Sequence, residues 1–322
     1  MKALSRSQAL GFYAVIALLA GCGGGSQLGS NQNQPNEPQT RMNRALIDRG
    51  AGTHAAPGRS WMASNLTKKD LLYVSNFYSS ETLVFTYPGG KLVGTLTGVG
   101  PVECASPSSG DWWVSGNDEM LEYAHGGKTP IKTLSGASGA CAIDPTTGDL
   151  AVINGDEIVI YPGGSGSGTP YCTGMGSAYF DGYDDRGDLF IDGLTSADRV
   201  GLVELPKSGS TCEDVTLSQG VEFPGAIQWY GKYLAVGDQE AGVIYHFAIH
   251  GTNAKEIGST ELGGSSDVVQ FSIQKPYVVG VDAGNEDVEL WDYPAGGGSP
   301  AKVITGQFDL PIGLIVSVGK KR

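Results

Sequence analysis

Leu72-Tyr-Val-Ser75, a polar loop, Leu83-Val-Phe-Thr-Tyr-Pro-Gly-Gly90, Lys91-Leu-Val-Gly-Thr-Leu-Thr-Gly98, Val102-Glu-Cys-Ala-Ser106 and the turn Pro107-Ser-Ser-Gly-Asp111 form one continuous stretch. Four short apolar runs separated by turn residues predict four β-strands. The pattern returns five more times. Its first strand restarts at Trp112, Leu150, Leu189, Tyr233 and Tyr277, at spacings of 40, 38, 39, 44 and 44 residues. A period near 40 with four strands per unit predicts an all-β, six-bladed β-propeller.

Let the strands of each blade be A to D from the channel outward. The run at Leu72 is then a B strand. Expected A strands are Val102–Ser106, Ala140–Asp144, Ala178–Asp181, Ala226–Trp229, Val268–Ile273 and Ile312–Val318. The chain starts on a B strand and ends on an A strand, so the last run is expected to pair into the first blade and leave no free sheet edge there. The C–D turns Tyr87-Pro-Gly-Gly, Tyr161-Pro-Gly-Gly and Tyr293-Pro-Ala-Gly are near copies, and Leu205-Pro-Lys-Ser-Gly and Tyr123-Ala-His-Gly-Gly are degenerate ones. Proline and glycine are there for turn geometry.

These strands, with Ala-Ile-Asp-Pro-Thr-Thr-Gly-Asp-Leu at 142–150, resemble the six-bladed NHL/YVTN-type propeller repeats of bacterial exported proteins. The resemblance covers about residues 70–322. It implies the fold and leaves the activity open, since such propellers include binding proteins, lactonases and lyases.

Residues 1–21 are expected to be a signal peptide. Lys2 and Arg6 precede the apolar run Ala9–Leu19, which is too short to span a bilayer. Leu19-Ala-Gly-Cys22 resembles a bacterial lipoprotein signal, with Cys22 lipidated. Acyl chains at about 0.8 kcal/mol per buried methylene give a durable anchor. Residues 22–69, rich in Gly, Ser, Asn, Gln and Pro, are expected to be a flexible tether with a reach of about 35–40 Å. The expected setting is a bacterial cell envelope, with a monomer held to a membrane and exposed outside the cytoplasm.

The chain carries a net charge of −13. From Leu71 onward there are 13 Lys and Arg against 31 Asp and Glu, a net of −18. Such a surface argues against nucleic acid and for a cation or basic partner. Acids follow strand B in most blades: Asp118 and Glu119, Asp156 and Glu157, Asp198, Asp238 and Glu240, Glu286 and Asp287. B–C loops share one end of a propeller, so these residues form either a binding rim or a set of solvated loop tips. Asp181-Gly-Tyr-Asp-Asp-Arg-Gly-Asp188 collects Asp181, Asp184, Asp185 and Asp188. An oxygen-rich loop of this kind can hold Ca²⁺, but it lacks EF-hand spacing and coincides with the A–B turn of every blade. No other cofactor is expected.

His246 and His250 lie about 13 Å apart along one strand, too far to share a metal. A lactonase-type site needs acids and amides converging on the channel, for which the inner strands offer Glu103, Asp144, Asp181, Gln228 and Gln270. No nucleophile–base pair is apparent. The favoured reading is a binding or protein-interaction module with a protein or small-molecule ligand, and the alternative is a metal-dependent lactonase or hydrolase. Four cysteines in an exported domain permit disulfides. One repeat of separation predicts Cys104–Cys141 and Cys172–Cys212, the alternative being four buried thiols. Superposing Gly110-Asp111 on Gly148-Asp149 sets Cys104 against Ala142, so the first pair is expected to need a bulge.

Overall fold

The apolar runs form six antiparallel sheets, in a computed structural model that describes residues 59–100, 103–105, 110–116 and 118–320. The expected signal peptide, Cys22 and the tether up to residue 58 lie outside the described residues.

Blade 1 begins with an edge strand, β1 (Trp61–Met62), followed by β2 (Leu71–Asn76), β3 (Glu81–Thr86) and β4 (Leu92–Thr97). Blade 2 holds β5 (Glu103–Ala105), β6 (Trp112–Ser115), β7 (Glu119–Tyr123) and β8 (Pro130–Ser135). Blade 3 holds β9 (Cys141–Ile143), β10 (Leu150–Asn154), β11 (Glu157–Tyr161) and β12 (Thr169–Cys172). Blade 4 holds β13 (Ser177–Tyr183), β14 (Leu189–Leu194), β15 (Val200–Leu205) and β16 (Glu213–Asp214). The edge strand β17 (Thr216–Leu217) belongs to blade 5, with β18 (Pro224–Tyr230), β19 (Tyr233–Asp238), β20 (Val243–His250) and β21 (Asn253–Glu261). Blade 6 holds β22 (Val268–Gln274), β23 (Tyr277–Asp282), β24 (Asp287–Asp292) and β25 (Lys302–Ile304).

The last strand, β26 (Pro311–Ser317), is the inner strand of blade 1. It pairs antiparallel with β2, from Leu71↔Ser317 to Asn76↔Pro311. Both ends of the described chain thus meet in one sheet, and the ring closes as the strand count requires. Closure is reinforced between sheets. Ile273 N donates to Gln228 Oε1 at 2.7 Å, and Leu314 N donates to Gln270 Oε1 at 2.8 Å. These bonds link the inner strands of blade 5 to blade 6 and of blade 6 to blade 1. His125 lies buried with Nδ1 2.6 Å from Ser317 Oγ and Nε2 2.9 Å from the Lys69 carbonyl.

The B strands are buried along their length in β2 and β14. Each sheet is covered on both faces by its neighbours, so apolar residues run continuously there. Between blades 1 and 2 the Trp112 ring packs against Tyr73 and Tyr123, with centroids 4.1 and 5.2 Å away. Burying one such aliphatic or aromatic side chain is worth about 1.5–3 kcal/mol, and no blade supplies that burial for itself.

The A–B turns explain the repeated Gly-Asp. Gly110, Gly148 and Gly187 take φ of +74°, +80° and +92°, a region that favours glycine. The aspartate after each accepts a hydrogen bond from the C–D turn of its own blade. Asp149 Oδ1 accepts from Gly163 N at 2.8 Å, Asp188 Oδ1 from Lys207 N at 2.9 Å, and Asp111 Oδ1 from His125 N at 3.4 Å.

Three expectations need correction. Residues 59–69, taken as the end of the tether, belong to the domain. β1 pairs with β4 through Trp61↔Thr95 and Met62↔Gly94, and Leu66 is buried in the core. A two-residue edge strand is thereby added outside the four strands of blade 1, and β17 adds a similar one to blade 5, joining β21 in parallel. The bridge Cys104–Cys141 forms with a Cα separation of 5.7 Å and without a bulge in either ladder. β5 and β9 lie in different sheets, so the face parity that governs one ladder does not relate them. Cys172 and Cys212 remain thiols, the first exposed and the second half-buried. They lie at the outermost strands, where blades diverge. They still feel one another, because burial and then Cys172 push the Cys212 thiol up to about 11.

Removing residues 312–322 takes the inner strand from blade 1 and exposes the edge of β2. The truncated protein is expected to lose its cooperative thermal transition by circular dichroism. A transition as sharp as that of the intact chain at a similar temperature would contradict the closure.

Candidate functional site

The strand order places the B–C loops and D–A links at one end of the propeller and the A–B and C–D turns at the other. Asp118, Asp156, Asp198 and Glu240 are exposed at the first end, and Glu119, Glu157, Glu286 and Asp287 are partly exposed there. Among the described residues, the basic side chains exposed at this end are Arg199 and Arg59, the latter beside Glu81 and Thr97. At the other end, Lys91, Lys128, Lys207, Lys232, Lys275 and Lys320 are exposed. That end also carries Asp111, Asp149, Asp185 and Asp188, so the excess of acid lies at the first end.

Asp238 does not belong to the exposed rim. It is buried, and its carboxylate accepts from Glu222 N at 2.7 Å, Phe223 N at 3.2 Å and Ala241 N at 3.1 Å. It ties the B–C loop of blade 5 to the link entering that blade. Asp282, which the sequence did not single out, does the same in blade 6 by accepting from Ser266 N, Asp267 N, Gly284 N and Asn285 N at 2.6–3.1 Å.

The acidic turn 181–188 divides into separate environments. Asp184 is buried and accepts from Arg186 N, Arg186 Nε and Asp188 N at 2.8–2.9 Å. Arg186 also pairs with Asp188 at 3.2 Å. Asp185 is exposed. These are the contacts of a tight turn. Among the described residues, no group of three or more His, Cys, Asp or Glu is placed to hold a metal ion.

Asp181 is set apart from that turn. It is one of the residues around a cavity of about 540 Å³ along the channel, lined by the inner strands of all six blades, but both of its carboxylate oxygens are sealed from solvent. It is 7% exposed, and neither carboxylate oxygen has a hydrogen-bond partner. Burial raises its pKa well above the usual carboxylate range. Asp181 in turn helps to raise Asp192, a second buried carboxyl on β14. Asp192 Oδ1 accepts from Phe180 N at 3.1 Å, at a bulge in β13, while Oδ2 has no partner. Of the other inner-strand candidates, Gln228 and Gln270 also line the cavity, with Oε1 of each engaged by the next blade. Asp144 is held within its own turn by Thr146 and Thr147. Those hydrogen bonds lower its pKa although burial alone would raise it.

His246 is packed between blades 5 and 6. Its ring lies 4.7 Å from that of Tyr233, and Nε2 is 3.1 Å from both Thr260 Oγ1 and Tyr293 Oη. Burial lowers its pKa. His250, on the same strand, is exposed. The two histidines serve no common site.

Asp192 and Asp282 escape a search for motifs because each is the one acid of an apolar strand, and Glu289 because it alternates with apolar residues between Asp287 and Asp292. The one sequence signal is a carboxylate among aliphatic neighbours, as in Leu189-Phe-Ile-Asp192.

No protein-family model matches this chain, and no curated protein does. Solved structures do match in shape. The crystal structure of a nidogen/laminin complex superposes with a TM-score of 0.64 at 11% identity, over 78% of this chain and all of that one. A functionally unknown protein from Desulfotomaculum acetoxidans superposes with a TM-score of 0.55 at 11% identity, over 82% of this chain and 91% of that one. At that identity the likeness is one of fold. The class is a six-bladed β-propeller.

Glu289 on β24 is 3% exposed, and its Oε2 has no partner. Burial first, then Asp287 and Asp282, push it up to about 7. A carboxyl with a raised folded-state pKa favours the folded state below its unfolded pKa near 4.5, and that advantage is lost as pH rises through 7. Glu289→Gln is therefore expected to stabilise the protein at pH 8, by up to about 3 kcal/mol, and to leave stability at pH 4.5 nearly unchanged. Urea midpoints of both proteins across this range check it, and parallel pH profiles would contradict it.

Proposed function

We propose that this chain is an exported binding propeller of the bacterial cell envelope, acylated at Cys22, whose acidic end docks a basic partner protein. The observation that carries the reading is the one-sided charge. Acidic residues of successive B–C loops stand exposed at one end with two arginines, Arg59 and Arg199, while six exposed lysines lie at the opposite end. A field of one sign on a rigid surface speeds encounter with an oppositely charged protein and suppresses wrong orientations. Loops on a fixed scaffold are also where binding residues usually lie. The nidogen/laminin complex, similar in fold, is itself an assembly of proteins, which fits a propeller used for docking. The anchor rests on the sequence around Cys22.

Reversing Asp118, Asp156, Asp198 and Glu240 to lysine is expected to abolish recovery of envelope partners in a crosslinked pull-down. Reversing Lys128, Lys207, Lys232 and Lys275 to glutamate is expected to leave it intact. Wild-type recovery is expected to fall between 50 and 500 mM salt, as screening requires. Equal effects of the two variants, or none, would refute the acidic end as the docking surface.

A separate measurement addresses the anchor. Cys22→Ser is expected to leave the chain unprocessed and without radiolabelled palmitate. A mature, labelled variant would refute the lipoprotein assignment.

A further inference from the structure

The segment that joins blade 1 at its outer edge builds a surface of its own. Of the five tryptophans in the chain, Trp61 is the one exposed, at 44%, while Trp112, Trp113 and Trp291 are buried and Trp229 is half-buried. The ladder fixes its direction. Trp61 lies opposite Thr95 and Met62 opposite Gly94, and alternation along a strand sends the two side chains to opposite faces. Met62 packs on the core over Gly94, which leaves Trp61 on the other face. Thr97 N donates to Ser60 Oγ at 3.0 Å and Ala63 N to the Val93 carbonyl at 2.8 Å, so the backbone is held on both sides of Trp61.

That face is one wall of a groove of about 460 Å³. The registers Glu81↔Thr97, Leu83↔Thr95 and Phe85↔Leu92 set these six side chains on the face of Trp61, and all of them line the groove. The other wall comes from blade 6. Strand β25 ends at Ile304, and Thr305, Gly306 and Gln307 run on as a link beside blade 1. The Phe308 ring, 5.8 Å from that of Phe85, packs below. From Glu81 to Phe85 the groove follows the strand for about 13 Å.

The groove mixes one aromatic surface with neutral polar groups. Thr305 and Gln307 are exposed and Thr95 and Thr97 partly so, which leaves hydroxyls and an amide in reach of a guest. These groups both donate and accept. Arg59 and Glu81 bring one charge of each sign, so nothing here selects an ion by its charge. Among the described residues no metal-holding group of acids, cysteines or histidines occurs. The chemistry that matches is a pyranose. Its C–H face lies against the negative face of an indole, and its hydroxyls bond to hydroxyls and amides, more strongly to a guanidinium or a carboxylate.

We propose that this groove binds a neutral saccharide, with one pyranose ring stacked on Trp61 and its hydroxyls held by Thr95, Thr305, Gln307, Arg59 and Glu81. The groove runs down the side of the propeller, and its use does not depend on docking at the acidic loops. Trp61 is presented by a fixed backbone, so little order has to be gained on binding.

The test is an array of neutral pyranose oligosaccharides, with sialylated and sulfated glycans on the same array, probed with the full chain. Saturable binding of a neutral glycan is expected, with a Kd in the millimolar range or tighter. Trp61→Ala is expected to weaken it at least tenfold and Trp61→Phe, which keeps a ring, by less. Thr95→Val removes a hydroxyl at nearly constant shape and is expected to cost about threefold, whereas a groove made for an apolar guest would bind as well or better. Thermal transitions of the variants are expected to match the wild type, since Trp61 is exposed. Saturation of the aromatic protons of the wild-type chain is expected to pass to the ring C–H protons of the bound sugar. No neutral glycan bound, undiminished binding by Trp61→Ala, no transfer to the sugar, or binding confined to acidic glycans and lost in 500 mM salt would each overturn the proposal. The transfer is read on the wild-type chain, so it decides the matter even if a variant does not fold.

Discussion

Each blade has two apolar faces and can cover neither by itself. That constraint governs the structure. A strand such as β2, buried at every position, is stable only when a sheet lies on both sides of it. The ring therefore has to close, and the bond that closes it is the β2–β26 ladder, joining residues some 240 positions apart. The glutamine bonds between inner strands and the His125–Ser317 contact act on the same seam or beside it. Loops that link such distant residues carry a closure entropy that grows only slowly with length, so a seam this remote in sequence is tolerable once its ladder and packing form.

Repetition has a second consequence. Because every blade turns at the same two ends, residues placed at corresponding positions of successive repeats collect on one surface. The acids after strand B gather at one end and the lysines of the turns at the other. Other acids are built into the scaffold. Asp111, Asp149 and Asp188 fasten A–B turns to C–D turns, and Asp238 and Asp282 fasten loops to the links that precede them. Net charge alone does not separate these uses. What separates them is whether backbone N–H groups surround the carboxylate.

A third group of carboxyls fits neither use. Asp181, Asp192 and Glu289 are buried, and each has at least one oxygen without a partner. Desolvation raises the pKa of each. A protein with a marginal stability of roughly 5–15 kcal/mol carries such groups at a cost. Only Asp181 lines the cavity.

The sequence by itself determined the repeat, the six blades, the order of strands and the pairing of the last strand with the first. Those follow from hydrophobic alternation and from glycine and proline at turns, which are local properties and survive in a one-dimensional reading. It also determined the Cys104–Cys141 pairing, through separation by one repeat, although the expected bulge is absent. The tertiary structure decided what depends on neighbouring sheets. The stagger between β5 and β9 lets two cysteines of unlike register meet, while divergence of the outer strands leaves Cys172 and Cys212 as thiols. Residues 59–69 look like tether by composition, yet Leu66 and β1 find apolar and backbone partners in blade 1. Asp238 resembles the other loop acids in sequence and is buried among backbone donors. Asp181 looks like one acid of a turn, and only the ring shows its carboxylate sealed from solvent without a partner. In each case a residue's role is set by which atoms of other blades come within a few ångströms, and local sequence does not encode that distance.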